Sequence, residues 1–237
     1  MPEPVIALVM AAGMGTRFGG PVPKPVAPLA GGTVIGTAIE SLAAGGCTAV
    51  VVVVSRGAQH HFIPALAGCP VPLTVVEGGE TRQESVLRGL EAIAAHPDLS
   101  GTGVILVHDA VRPLVPAAMV ARVVDAVRAG AVAVTPAVPV VDSLRRVDAD
   151  GSSRQVDRSD LRAIQTPQGF DFATLLASHR AAAAAGTVAT DDVGVCESTG
   201  HQVVIVEGAA SAFKITHADD LDLARALVGL AASEAAR

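Results

Sequence analysis

Five consecutive valines, Val50-Val51-Val52-Val53-Val54, constrain this chain more than any other stretch. A strand with one wet face alternates apolar and polar residues. An unbroken β-branched run needs cover on both faces, as in the middle of a parallel sheet. Parallel strands need crossovers, and the chain supplies them. Strand-like runs at 5–10, 50–54, 73–76, 104–107, 131–135 and 201–207 alternate with helical patterns, the first few at about 34–43, 59–66, 81–93 and 117–129. Thr33 and the pair Thr81 and Glu84 have the spacing of helix starts, Gly45-Gly46 that of a helix end, and Thr216 with Asp219 is expected to open the last helix. This order predicts an α/β fold: a Rossmann-like, mostly parallel sheet with helices on both faces and right-handed crossovers. We expect one domain over 1–237, since half of its 237 residues are apolar and a large core is available.

The first strand, Val5-Ile6-Ala7-Leu8-Val9-Met10, empties into Ala11-Ala12-Gly13-Met14-Gly15-Thr16-Arg17-Phe18-Gly19-Gly20, with Pro23-Lys24 just beyond. Glycines let a backbone approach closely and present N–H groups, so such a loop can wrap a polyphosphate. Arg17 adds a planar fork and Lys24 a point charge. No Gly-Lys-Ser/Thr closes the loop, and Phe18 stands where a dinucleotide fingerprint needs its third glycine. By itself the loop reads equally as an ordinary turn, and its company decides. In open α/β sheets ligands sit outside the carboxyl ends of the strands. The loops after Met10, Val76 and Val107 therefore face one crevice, which would gather Arg17, Lys24, Ser85, Asp109 and Arg112.

Several classes are disfavoured. A net charge of −6 argues against a general nucleic-acid or anionic-membrane surface, and a chain without Trp or Tyr has few base-stacking platforms. Cys47, Cys69 and Cys196 show neither metal-ligand nor redox spacing and are expected to be reduced. With no signal-like leader and no apolar run of membrane length, a cytoplasmic location is expected.

The βαβ alternation breaks at about 138–161. Two polar-edged strands there flank Asp148-Ala149-Asp150-Gly151, which predicts a hairpin lying off the core. Two strands bury too little to stand alone, and a second copy of the chain could supply the partner surface.

The order of the motifs resembles one family over nearly the whole chain. Ala11-Ala12-Gly13-x-Gly15-x-Arg17 with Pro23-Lys24 is followed by Gly78-Gly79-x-x-Arg82-x-x-Ser85 and by His108-Asp109-Ala110-x-Arg112-Pro113. Then come Val156-Asp157-Arg158, Thr166-Pro167-Gln168 and Lys214-Ile215-Thr216. This set is similar to that of the 2-C-methyl-D-erythritol 4-phosphate cytidylyltransferases. The resemblance implies transfer of a cytidylyl group from CTP to methylerythritol phosphate, with release of pyrophosphate, on the non-mevalonate route to isoprenoid precursors. It also implies Mg²⁺ and a homodimer whose arm, 138–161, reaches over the neighbour's active site. CTP contacts would come from Ala11, Ala12, Gly13, Gly15, Gly79, Arg82, Ser85, Asp109 and Ala110. Acceptor contacts would come from Asp109, Arg112, Thr166 and Lys214, with Ser143 and Arg158 on the arm beside Asp142. Arg17, Lys24, Arg158 and Lys214 would be catalytic, and Asp109 would meet the metal. The chain departs from the family pattern at Ser211-Ala212-Phe213, where an Asn or Asp is common before the lysine.

The chemistry gives these cations a reason. A phosphate nucleophile is already an anion and needs no base, so the difficulty lies in bringing two anions together. Removing Arg17 or Lys24 should raise the barrier by ~2–4 kcal/mol, by analogy with lost oxyanion donors. Each assignment has a plainer counterpart: Ser85 as a helix-surface hydroxyl, Asp142 as a solvated turn residue, Arg112 as partner to a nearby carboxylate, and His108 as a satisfied strand-end histidine. Two rival functions are a pyrophosphorylase for another sugar-alcohol phosphate, such as ribitol phosphate, and a nucleotide-sensing module without catalysis.

Overall fold

The valine run lies inside the sheet, with all six residues of its strand buried. A computed structural model describes residues 3–13, 23–99 and 101–235. Strand β1 (Val5–Ala11) is followed by the short pair β2 (Pro28–Leu29) and β3 (Gly32–Thr33) and by helix α1 (Val34–Ala44). Next come β4 (Ala49–Val54), α2 (Gln59–Ala65), β5 (Leu73–Glu77), α3 (Arg82–Ala95), β6 (Val104–Asp109), α4 (Ala117–Arg128) and β7 (Ala133–Pro139). The hairpin β8 (Leu144–Val147) and β9 (Ser153–Val156) forms a sheet of its own. Strands β10 (Arg162–Ile164) and β11 (Gln168–Asp171) return the chain to the main sheet, and α5 (Phe172–Ala185), α6 (Asp192–Ser198), β12 (Val203–Glu207) and α7 (Ala218–Ala235) follow.

In the main sheet β5, β4, β1 and β6 lie side by side and parallel. Strand β11 runs antiparallel between β6 and β7, and β12 pairs in parallel with the other edge of β7. The sheet is thus mostly parallel, with two reversed strands, β11 and the short β10. Because side chains alternate along a strand, Val50, Val52 and Val54 of β4 join Ala7 and Val9 of β1 under α1, α2 and α4. Val51 and Val53 join Ile6 and Leu8 under α3, α5 and α6. Fully burying one such valine contributes roughly 1.5–3 kcal/mol of gross transfer free energy.

Local signals set the helix ends. Thr33 Oγ1 accepts from Gly36 N at 3.1 Å and starts α1, and Gly186 takes the left-handed conformation that ends α5. Thr81 Oγ1 accepts from Glu84 N, but the Glu84 carboxylate returns to Glu80 N at 2.8 Å, one residue before the capping-box position. The last helix corrects the sequence reading. Its capping group is Asp220, which accepts from Thr216 N and His217 N, and neither Thr216 nor Asp219 plays that part.

The arm also begins later than 138. Strand β7 continues to Pro139 because Ala137, Val138 and Pro139 pair with Ile164, Ala163 and Arg162 of β10. Beyond that base the hairpin is exposed, with Val141 78% and Val147 68% accessible. Gly151, at φ +83°, turns it, and Leu144 faces Val156. All three cysteines are free, and burial pushes the thiols of Cys47 and Cys196 up to about 12 and about 11. Among the described residues, no helix is long and apolar enough to cross a membrane.

Candidate active site

A cleft of about 400 Å³ opens beyond the carboxyl ends of β1, β5 and β6. Its described walls are Met10, Ala11, Ala12 and Gly13 after β1; Gly79, Glu80, Thr81, Arg82 and Ser85 after β5; Asp109 and Val111 after β6; and Lys24, Pro25 and Lys214. The loop that leaves β1 is tied to the end of β4 by Ser55 Oγ, which donates to Ala12 O at 2.8 Å. Arg17 and Gly15 lie outside the described residues.

Two lysines from opposite ends of the chain converge here. Lys24 Nζ donates to Ile215 O at 3.1 Å and Thr216 O at 3.0 Å, so it sits against the segment that carries Lys214. Lys214 Nζ donates to Asp109 Oδ2 at 2.9 Å. Burial by itself would raise the Asp109 carboxyl, but Lys214, Arg82 and Arg112 outweigh it and hold the group below the ordinary carboxylate range.

Asp109 is fixed from behind. Its N–H donates to Thr166 Oγ1 at 3.1 Å, and that hydroxyl lies 3.0 Å from His108 Nδ1. His108 Nε2 lies 3.1 Å from Arg112 O. A carbonyl only accepts, so Nε2 carries the ring proton and Nδ1 takes the hydroxyl's. Burial pushes His108 down to about 4 and keeps it neutral. It is a satisfied strand-end histidine. Thr166 does not line the cleft, and its hydroxyl braces the Asp109 backbone.

Arg82 stands at the start of α3 and donates to Asp192 Oδ2 at 2.7 Å. Asp192 is 1% exposed, and its Oδ1 is 3.2 Å from Nε2 of the buried His179, within ionic reach but not aligned as a hydrogen bond. Burial lowers Arg82, and Asp192, Asp109 and Asp191 together more than reverse that, so Arg82 is a fixed cation. Gln168 Oε1 accepts from Asp192 N and Val193 N, and its amide donates to Asp191 Oδ2 at 2.9 Å. In sequence, Thr190-Asp191-Asp192 reads only as the start of a short helix. A signal was present, because one acid suffices to cap α6 and Asp191 does so.

Five of the expected contact residues have surroundings that the sequence does not reveal. Ser85 is no helix-surface hydroxyl: it is buried, accepts from Gly79 N at 3.0 Å and donates to Thr81 O at 2.8 Å, so it shapes the glycine loop. Ala110 is wholly buried and gives its N–H to Met10 O, so the wall is formed by Val111 instead. Arg112 turns inward, with Nη1 on Ala212 O at 2.8 Å and Nε 3.6 Å from Asp109 Oδ2, and joins two loops without lining the cleft. Ser143 and Arg158 line a different groove of about 560 Å³ on the hairpin, with Gln155, Val156 and Asp157, and Arg158 Nη1 donates to Val141 O. As for the metal, the described residues contain no group of three His, Cys, Asp or Glu side chains able to hold an ion.

A doubly wound sheet whose strand ends bring a glycine-loop backbone and fixed cations into one cleft suits the phosphates of a nucleotide. Comparison narrows that reading. Residues 5–229 match the model of the 2-C-methyl-D-erythritol 4-phosphate cytidylyltransferase family, and the chain belongs to that family. A relative of that name from Rhodococcus jostii is 45% identical, covering 95% of each chain. One from Streptomyces coelicolor is 42% identical over 96% of this chain and 86% of its own length. The crystal structure of the cytidylyltransferase from Thermus thermophilus superposes with a TM-score of 0.78 at 36% identity, covering 95% of this chain and 99% of that one.

Proposed function

We propose that the cleft binds CTP and that the chain transfers its cytidylyl group to 2-C-methyl-D-erythritol 4-phosphate, in isoprenoid precursor biosynthesis. A phosphate oxygen of the acceptor bonds to the α-phosphorus, the bond from that phosphorus to the β-phosphate's bridging oxygen breaks, and pyrophosphate departs. The products are 4-diphosphocytidyl-2-C-methyl-D-erythritol and pyrophosphate, and no proton need move. The observation that carries this reading is the convergence of Lys24, Lys214 and Arg82 on one cleft at the strand ends. Fixed cations stabilise the charge that gathers on the α-phosphate and the leaving group without reorganising. We assign Lys24 and Arg17 to that task and Lys214 to the incoming phosphate. Ala11, Ala12, Gly13 and Gly79 offer backbone to the nucleotide.

Asp109 and Glu80 are the carboxylates on the described wall. That set fits Mg²⁺, which takes one or two carboxylates and fills its shell from phosphates and water. When bound, the ion would supply positive charge against the phosphates. Asp109 would face it while holding Lys214 in place.

The arm supports a homodimer. It exposes Val141, Val147 and Leu161, with Ile164 exposed just below its base, and its Ser143 and Arg158 share no wall with the cleft of their own chain. We assign them to the acceptor in the partner's cleft, in the cytoplasm, where three free cysteines are at home.

Purified protein given CTP, Mg²⁺ and methylerythritol phosphate should release pyrophosphate. Release with ribitol phosphate alone would reassign the acceptor, and CTP binding without turnover would leave a sensing module. Arg158→Ala should raise the acceptor's KM and spare CTP affinity. A monomer by light scattering would contradict the arm's role.

A further inference from the structure

The segment after Lys214 is gripped from two sides by opposite charges. Lys24 Nζ takes the carbonyls of Ile215 and Thr216, at 3.1 and 3.0 Å. A single oxygen of Asp220, Oδ2, takes the N–H groups of Thr216 and His217, both at 2.7 Å. These four groups belong to only two peptide units. Ile215 C=O and Thr216 N–H are the ends of one, and Thr216 C=O and His217 N–H are the ends of the next.

In a trans peptide the C=O and N–H point in opposite directions. A cation on the oxygens and an anion on the hydrogens therefore polarise the same two amides in the same sense, and each contact strengthens the other. Asp220 is thus coupled to Lys24 through two peptide planes as well as by direct charge attraction. Lys214 stands one further peptide back, and that peptide is anchored separately, through Ile215 N–H on Val111 O.

We propose that Asp220 is a positioning residue for nucleotidyl transfer: through the two peptide planes it orients Lys24 toward the nucleotide. The proposal rests on the function proposed above. Other contacts hold the segment in the fold without Asp220. Ile215 is completely buried and its N–H donates to Val111 O at 2.9 Å. Loss of the carboxylate should therefore free the two planes to rotate without releasing the segment.

The test uses the full chain with Asp220→Ala, which removes the acceptor, and Asp220→Asn, which keeps an oxygen but loses the charge. Each is made in the parent and in a Lys24→Ala background. Turnover with CTP and methylerythritol phosphate, CTP affinity by calorimetry and melting temperature are read on all of them. A misplacement of about 1 Å near reacting groups costs about 100-fold, so Asp220→Ala is expected to lower kcat/KM for CTP by about 30-fold and Asp220→Asn by roughly threefold. In the Lys24→Ala background, Asp220→Ala should lower kcat/KM for CTP by under about twofold, because coupled residues are not additive. A carboxylate that only stabilises α7 would lower the melting temperature and cost the same factor in both backgrounds. That result would overturn the proposal, as would an Asp220→Ala enzyme with parental kcat/KM. The parent's own turnover is the separate check on the reaction, so the two ideas fail in different measurements.

Discussion

Replacing Asp192 with asparagine asks whether Arg82 is held in the cleft wall or only passes through it. The carboxylate is almost wholly buried and the Arg82 side chain is 37% exposed. Unit charges about 4 Å apart attract by about 4 kcal/mol at an effective dielectric near 20. Asparagine forfeits that attraction, yet it no longer buries an anion, which itself costs several kcal/mol. Its amide oxygen can also keep a neutral hydrogen bond of about 1 kcal/mol. The balance is a destabilisation of roughly 1–3 kcal/mol. At about 2–4 °C per kcal/mol in a chain of this size, that lowers the melting temperature by roughly 2–12 °C. If Arg82 swings out of the wall as a result, CTP affinity falls about tenfold, the equivalent of 1.4 kcal/mol. Thermal melts and CTP titrations of parent and variant near neutral pH measure both. Acid gives a second reading. Burial would raise the Asp192 carboxyl, but His179 and Arg82 hold it below the ordinary range. Its contribution is then complete above the unfolded value of about 3.9 and is lost as pH falls through the lower folded value, so the gap between parent and variant should close in strong acid. A variant that melts with the parent and binds CTP equally well refutes this reasoning, and so does a gap that widens in acid.

Two further outcomes follow from other parts of the site. His108 is held neutral by burial, with its pKa pushed down to about 4 against about 6.5 unfolded. The unfolded chain takes its proton first, so stability is full above about pH 6.5 and falls by about 3 kcal/mol toward pH 4. His108→Gln should flatten that slope in urea titrations, and an unchanged slope would exclude His108 as its source. At Gly78 an added carbon would sit 2.6 Å from Ser85 Oγ and 3.2 Å from Ala12 Cβ. Gly78→Ala should force the loop open and weaken CTP binding by about tenfold, from strain of roughly 1–3 kcal/mol. Gly101→Ala, whose carbon would meet nothing within 4 Å, is the control and should bind as the parent does.

What could be read from the chain divides along the range of the interactions. The valine run, the caps at Thr33 and Thr81 and the crevice at the strand ends follow from spacing and local chemistry, and the sheet is built that way. The arm's lower boundary was misplaced because Ala137-Val138-Pro139 ends in a turn-like proline, and only pairing with β10 makes it a strand. At the start of α7, Asp219 and Asp220 compete for one role, and the turn of the helix, which residue spacing does not reveal, selects Asp220. Arg112 was placed among the contacts because its neighbours in sequence are there. Its partner, the carbonyl of Ala212, lies 100 residues away and carries no mark in the side-chain pattern. Asp192 and His179 were missed for the same reason: a buried charge looks like a surface charge until its partners are known.

The base of the hairpin is closed. Arg162 pairs with Pro139, so the chain leaves the sheet and re-enters it at neighbouring positions. Everything between those two residues hangs like a pendant from a clasp, and lengthening, trimming or exchanging it leaves the strands beneath in register. A lineage could thus rewrite the pendant alone, while the cleft at the strand ends is inherited untouched.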